Sequence, residues 1–232
     1  MEGASRATLT RELTLRRVLP LMFADAGGRS LGDAAPLPPH PPRADTMGMP
    51  VTTHRFTVDE YHRMGDAGIF PPDARVELLD GEIVEMSPIG PRHAGCVNRL
   101  NALLVHAVGD RAIVTVQNPV VLDEHGEPQP DLALLRPRAD WYATAHAQPG
   151  DMLLLIEVMD SSREYDRSRK IPAYARTGVP EVWLVDVAAR QIEIFRTPKA
   201  AAYAGFEVAR PGDTISPRAL PDVTLAVSDI LG

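Results

Sequence analysis

The sequence predicts an α/β fold with a mixed central β-sheet flanked by helices. Two nearly continuous apolar runs, Met152–Val158 and Val182–Val185, are typical of strands that are buried on both faces. Residues 162–177 between them have a helical pattern, and strand, helix and strand in succession form a right-handed crossover between parallel neighbours. The wider order of helix, hairpin, helix, strands, helix and strands predicts a sheet that is mixed rather than purely parallel.

The first 50 residues have a different composition from the rest of the chain. Five prolines crowd positions 36–42, and Pro-rich segments favour extended, unpacked chain. We therefore expect residues 1–50 to be a disordered extension and residues 51–232 to form one domain. A short apolar run after Arg17 superficially resembles a secretory signal, but Pro20 interrupts it.

Two helices are predicted in the first half of the domain. Thr57 and Glu60 have the spacing of a capping box, which predicts a short helix from there to about Asp66. Residues 92–108 have helical periodicity, and one face carries three apolar side chains and a histidine: His93, Val97, Leu100 and Leu104. We expect His93 to point inward at the start of this helix.

A hairpin is predicted between the two helices, over residues 75–86. Asp80-Gly81 is a strong two-residue turn signal, and the turn places Leu79 opposite Glu82. Glu77 then shares a face with apolar side chains. A carboxylate in such surroundings requires a partner.

Further elements complete the predicted sheet. Three segments have strand character: residues 112–121, residues 130–135 and residues 191–196, the last of them an edge strand. The helix within 162–177 is expected to end at Gly178. Pro172 either kinks this helix or lies in the first turn of a helix that begins near Ile171.

Charge and composition limit the classes of function. The net charge of −7 argues against a protein that binds nucleic acid mainly through a broad basic surface, although it suits an acidic site that recruits a cation. No apolar run approaches the ~18 residues of a membrane span, so we expect no membrane partner. The single cysteine, Cys96, is typical of a reducing compartment, and we expect a cytoplasmic protein.

A carboxylate pair is the strongest chemical signal. The sequence lacks the P-loop, dinucleotide-binding, nucleophile-elbow and zinc-protease motifs. Asp131 begins one predicted strand and Glu157 ends the next, so antiparallel pairing would bring both carboxylates to one edge of the sheet. Such hard oxygen ligands suit Mg²⁺, and the Val158 carbonyl can add a third. Lys170 on the crossover helix can then hold the attacking water and neutralise charge on a phosphate.

Basic side chains cluster in and around the same crossover helix. Arg163, Arg167 and Arg169 can form a strip that contacts nucleic-acid phosphates beside the site. A solvated helix face is the alternative interpretation.

The ordered set of these short motifs resembles a known family. The chain is similar to the Uma-two (Uma2) family within the PD-(D/E)xK restriction-endonuclease-like superfamily. The resemblance rests on segments spread from about residue 55 to about residue 200: Phe56–Tyr61, Val76–Ile83, Met86–Pro88, His93, Pro130–Leu132, Ile156–Val158, Asp166, Lys170, Tyr174, Gly178–Val179 and Trp183–Asp186.

The resemblance implies a restriction-endonuclease-like fold and a metal-dependent endonuclease, a hydrolase with DNA as its substrate. Mg²⁺ is the implied cofactor, with Mn²⁺ as an alternative. Asp131 and Glu157 would be the catalytic metal carboxylates and Lys170 the catalytic lysine. The wider superfamily places its lysine at the position that Met159 occupies here, so Lys170 departs from that pattern.

Two further residues match the family pattern. Glu77 and His93 would have accessory roles, as additional metal ligands or as partners of the ligands. The resemblance leaves open whether the chain forms a homodimer.

Two other functions remain as alternatives. The first is a catalytically inert nuclease fold that binds nucleic acid or protein, which the absence of lysine at Met159 favours. The second is a metal-dependent hydrolase that acts on a small phosphate ester. Asp131, Glu157 and Lys170 together favour the endonuclease.

Overall fold

Helices and runs of strands make up the domain in this computed structural model, which describes residues 52–159 and 163–232 without the Arg163 side chain. In chain order the elements are α1 (Val58–Asp66), β1 (Val76–Leu79), β2 (Glu82–Glu85), α2 (Pro91–Val108), β3 (Ile113–Val116), β4 (Leu132–Leu135), β5 (Met152–Met159), α3 (Arg163–Tyr165), α4 (Ile171–Arg176), β6 (Glu181–Asp186), β7 (Gln191–Lys199), β8 (Ala202–Ala209), β9 (Thr214–Ile215), β10 (Leu225–Ala226) and α5 (Val227–Leu231). The predicted extension over residues 1–50 and the predicted DNA contact by Arg163 lie outside the described residues. None of the described helices combines the length and the hydropathy that a bilayer crossing requires.

A six-stranded sheet in the order β3-β4-β5-β6-β7-β8 forms the centre of the domain. β5 and β6 are parallel, as the predicted crossover requires, and the other neighbouring pairs are antiparallel. This arrangement confirms the predicted α/β class with a mixed sheet. β1 and β2 form a separate hairpin, in which Leu79 pairs with Glu82 and Glu77 with Val84 as predicted.

Apolar side chains cover both faces of the sheet. On one face, Leu132 and Leu134 pack with α2 and α5. On the other face, Ala133 and Leu135 pack with α4. β4 therefore alternates between two cores, and each of its four residues is buried.

The crossover between β5 and β6 contains a wider helical turn. A π-helical segment, Asp166–Lys170, lies between α3 and α4, and the Ile171 amide donates to the Asp166 carbonyl. Pro172 has no amide hydrogen and its ring crowds the carbonyl four residues earlier, so an ordinary α-turn is disfavoured there. The alternative in which α4 begins at Ile171, with Pro172 in its first turn, is confirmed.

Two sequence-based predictions about strands are wrong. Residues 191–196 were expected to form an edge strand, but β7 lies inside the sheet because β8 pairs with it. Gly205 in the interior of β8 weakens the strand signal there. The predicted strand over residues 112–121 is shorter, since Gln117 has a positive φ of 52° and ends β3 at Val116.

The turn of the β1–β2 hairpin requires glycine. Gly81 has a φ of +77°, and a Cβ there would stand 2.6 Å from Arg55 Cβ. We expect Gly81→Ala to lower the free energy of unfolding by about 2 kcal/mol or more, because strain and a clash add.

Gly65 near the end of α1 is the matched control, since beyond its chain neighbours and the backbone of its own helix no atom lies within 4 Å of a Cβ at that position. Gly65→Ala should raise stability by roughly 0.5–1 kcal/mol, as alanine does in helices. Urea unfolding of both variants measures this. If the two variants had equal free energies of unfolding, the turn would not require glycine at position 81.

Candidate active site

The register of the two central strands brings the predicted carboxylates to one place. β4 and β5 are antiparallel, and Ala133 lies opposite Leu155. Continuing this register by two residues places Asp131 opposite Glu157. Both positions belong to the face that α4 covers, because alternate residues share a face and Ala133 and Leu155 pack there. The structure therefore brings Asp131 and Glu157 to one edge of the sheet.

Asp131 is held by three donors from three parts of the chain. Its Oδ2 accepts the Val158 amide at 2.8 Å and lies 3.0 Å from Nε2 of His93. Its Oδ1 accepts the Gln117 side-chain amide at 3.3 Å. Burial alone would raise the pKa of Asp131, but the His93 contact and these hydrogen bonds outweigh it and lower the pKa. Asp131 therefore stays ionised at neutral pH.

Glu157 lies deeper, beneath α4. Its Oε1 accepts the Tyr174 hydroxyl at 2.5 Å and lies 3.3 Å from Nζ of Lys170. Burial is the largest cause that raises the pKa of Glu157, to about 8, and the Lys170 ammonium opposes that rise. The environments of the two carboxyl groups thus move their pKa values in opposite directions, as at many catalytic pairs.

Lys170 joins Glu157 to the hairpin. Its Nζ lies 3.2 Å from Oε2 of Glu77, which also accepts the Gln129 amide at 3.1 Å. Burial lowers the pKa of Lys170, but the carboxylates of Glu157 and Glu77 outweigh it and raise the pKa overall. The partner that sequence analysis required for the buried Glu77 is therefore an ammonium group.

The π-helical segment sets the direction of Lys170. Asp166 and Lys170, at its two ends, are only 4% and 5% exposed. Tyr174, one turn further on in α4, faces the same way and reaches Glu157. The π-helical segment and α4 thus direct the side chains of Asp166, Lys170 and Tyr174 to one side.

With the exception of Tyr174, these side chains line a cavity of about 360 Å³. Glu77, Asp131, Glu157 and Lys170 form its buried base. The loop between β2 and α2 forms an exposed rim, to which Ile89 contributes a side chain that is 41% exposed. The charged groups are therefore accessible through one pocket.

The oxygen atoms at the base fit a hard divalent cation. Mg²⁺ is usually bound by one or two carboxylates, while water and substrate phosphate complete the octahedron. Asp131 and Glu157 supply two carboxylates. Within residues 52–159 and 163–232, no set of three His, Cys, Asp or Glu side chains is arranged to hold a metal ion. An ion held by these two carboxylates would take its other ligands from solvent and substrate.

The two described arginines of the predicted DNA-contact strip make ion pairs within the protein. Arg167 pairs with the buried Glu193. Arg169 lies 2.8 Å from Oε2 of Glu82 on the hairpin. Both guanidinium side chains remain partly exposed, at 48% and 38%. Neither arginine lines the pocket that contains the carboxylates, and the charge of each is partly neutralised.

Sequence analysis assigned no role to three residues of the site, although two of them, Asp166 and Tyr174, belong to the family pattern. Tyr174 follows Lys170 by four positions, so helical spacing could have indicated a shared face. Asp166 precedes Lys170 by four positions and carries the same signal. Gln117 gives no such signal, because it reaches Asp131 through a backbone with positive φ.

Comparisons with known proteins agree with the predicted family and fold. A family model named Uma2 and described as "Putative restriction endonuclease" matches residues 58–228. The chain is also similar to a crystal structure of "a putative nuclease belonging to DUF820" from Anabaena variabilis ATCC 29413, with 16% identity and a TM-score of 0.58. That likeness covers 76% of this chain and 97% of the other. No match was found among curated proteins.

At 16% identity the structural likeness shows the fold alone. Together with the mixed sheet, it confirms the predicted restriction-endonuclease-like architecture.

The ammonium of Lys170 neutralises two buried carboxylates, which makes a stability prediction. At a pH above about 8, where Glu157 is largely ionised, we expect Lys170→Met to lower the free energy of unfolding by about 3–5 kcal/mol, because it leaves Glu77 and Glu157 buried without a cation. In the Lys170→Met variant, a second change of Glu157→Gln should lower the free energy of unfolding by less than it does in the wild type. The two side chains are in contact, so their effects are coupled.

Lys199, the other lysine of the chain, is exposed at the end of β7 and is the matched control. Lys199→Met should change stability by less than about 0.5 kcal/mol. Urea unfolding without added metal gives both values. A Lys170→Met cost as small as that of Lys199→Met would show that the buried ion pairs are not as described.

Proposed function

The chain belongs to the Uma2 family, and from this premise we propose that it is a Mg²⁺-dependent endonuclease that hydrolyses phosphodiester bonds in DNA. One observation carries the proposal. Asp131 and Glu157 lie opposite each other at the end of paired strands, and the Lys170 ammonium lies 3.3 Å from Glu157. Two carboxylates and one lysine in a pocket are the groups that metal-assisted hydrolysis of a phosphodiester requires.

Asp131, Glu157 and the Val158 carbonyl would hold the cation. When bound, Mg²⁺ would acidify an attacking water and stabilise the charge on the phosphoryl oxygens. Mn²⁺ has similar ligand preferences and is expected to substitute for it.

The protein's own residues prepare this site in three ways. His93 and the Val158 amide fix the orientation of Asp131 and keep it ionised. Lys170 contributes a fixed positive charge, which stabilises negative charge that develops on the phosphate. Glu77 holds the lysine in position from the hairpin, so we assign it a positioning role.

DNA is the proposed substrate because its backbone supplies the phosphate that completes the site. With a net charge of −7, the protein is expected to hold DNA through local contacts rather than a broad basic surface. Arg167 and Arg169 beside the pocket are proposed to contact flanking phosphates by exchanging their carboxylate partners for phosphate oxygens.

One observation favours the alternative of a catalytically inert binding module. The Lys170 ammonium already contacts two carboxylates, and Met159 occupies the usual position of the superfamily lysine. A lysine held in this way can act as a structural counter-ion alone.

A cleavage assay separates the two functions. With Mg²⁺ or Mn²⁺, the wild type should cleave plasmid or single-stranded DNA, and chelation should abolish cleavage. Asp131→Asn and Glu157→Gln should each lower the rate on the order of 10²-fold or more, because each removes a metal ligand. The metal should also raise the melting temperature of the wild type and not of these variants.

Asp222→Asn is the matched control, since Asp222 is 67% exposed and pairs with Arg111 outside the pocket. It should cleave DNA as the wild type does. Absence of cleavage by the wild type across metals and both substrates would favour the inert module. Cleavage that survives both Asp131→Asn and Glu157→Gln would remove these residues from the mechanism.

A further inference from the structure

The reactive groups are buried side chains that line a pocket. Glu77, Glu157 and Lys170 are 5% exposed or less, and Asp131 is 9% exposed. The surrounding rim is exposed at Ser87, Pro88 and Ile89. The same pocket therefore joins an exposed rim to the buried carboxylates.

The volume of the pocket limits what can enter it. About 360 Å³ is at the small end of the range for ligand pockets, which is roughly 300–1,000 Å³. This space suits a single nucleotide that is unstacked from its neighbours in the strand. Enzymes that must bring a nucleotide into such a pocket act on single strands or extrude it from a duplex, which costs a few kcal/mol of unstacking and unpairing.

The charge of the protein disfavours a duplex as well. Interfaces with double-stranded DNA bury about 1,000–2,500 Å² and are strongly basic. This chain has a net charge of −7, and Arg167 and Arg169 beside the pocket are engaged with Glu193 and Glu82. A single strand has a lower charge density than a duplex, so it meets less repulsion.

The rim offers apolar contacts that an unpaired base can use. Met86, Pro88 and Ile89 line the pocket on one side, and the Tyr165 ring lines it as well. Base faces in a duplex are covered by their stacked neighbours, whereas an unpaired base can pack on aromatic and apolar side chains.

We propose that the pocket selects unpaired DNA, with one nucleotide of a single strand or of a frayed end entering past the Met86–Ile89 rim. This inference rests on the proposed function and specifies its substrate class.

The test compares one labelled oligonucleotide in three forms: as a single strand, as a blunt duplex and as a duplex with an unpaired tail. With Mg²⁺, the single strand and the tail should be cleaved at least about tenfold faster than the paired region, because only the paired region must first be opened. A duplex that is cleaved as fast as the single strand would overturn the inference while leaving the endonuclease function intact.

A pair of isoleucine variants tests the rim. Ile89→Ala should lower kcat/KM on the single strand about three- to tenfold through the lost apolar contact. Ile69→Ala is the matched control, because Ile69 is 59% exposed and does not line the pocket. It should leave kcat/KM unchanged. Equal effects of the two variants would remove the rim from substrate recognition.

A binding measurement keeps this inference separate from the catalytic proposal. Fluorescence anisotropy with Ca²⁺ in place of Mg²⁺ compares the affinities of the wild type for the single strand and the duplex. If no DNA is cleaved but the single strand binds more tightly and Ile89→Ala weakens it, the inference stands and the endonuclease function fails. Equal affinities, or no binding of either form, would overturn the inference.

Discussion

The ammonium of Lys170, held between Glu77 and Glu157, is the interaction on which the rest of the site depends. It joins three elements that are distant in sequence: the β1–β2 hairpin, strand β5 and the crossover helix. A buried carboxylate without a cation is costly, so each of these elements is constrained to stay beside the others. The same constraint keeps positive charge at the base of the pocket that also contains Asp131.

Much of this arrangement follows from patterns that the sequence contains. The antiparallel register of β4 and β5 depends on two apolar runs, and alternation then places Asp131 and Glu157 on one face. The Asp80-Gly81 turn fixes the hairpin register, and with it the inward position of Glu77. These features could be predicted because strand periodicity and turn chemistry are local properties.

Other features depend on interactions that local patterns do not encode. The sequence allowed Pro172 either to kink a long helix or to lie in the first turn of a helix that begins near Ile171. The structure distinguishes them through a π-helical segment, which also directs the Lys170 side chain inward. β7 was expected at the edge of the sheet, because the sequence pattern of β8 is too weak to predict a strand that pairs with β7. The ion pair between Arg169 and Glu82 joins residues far apart in sequence, so its effect on the basic strip could not be inferred.

A crystal grown with Mn²⁺ is the most direct test of the proposal that Asp131 and Glu157 bind a metal ion. Anomalous scattering locates Mn²⁺ independently of any assumption about activity. The account predicts one peak in the pocket, about 2.1 Å from an oxygen of each carboxylate. A Mn²⁺ peak elsewhere in the protein, or an empty pocket at a Mn²⁺ concentration that supports DNA cleavage, would contradict it.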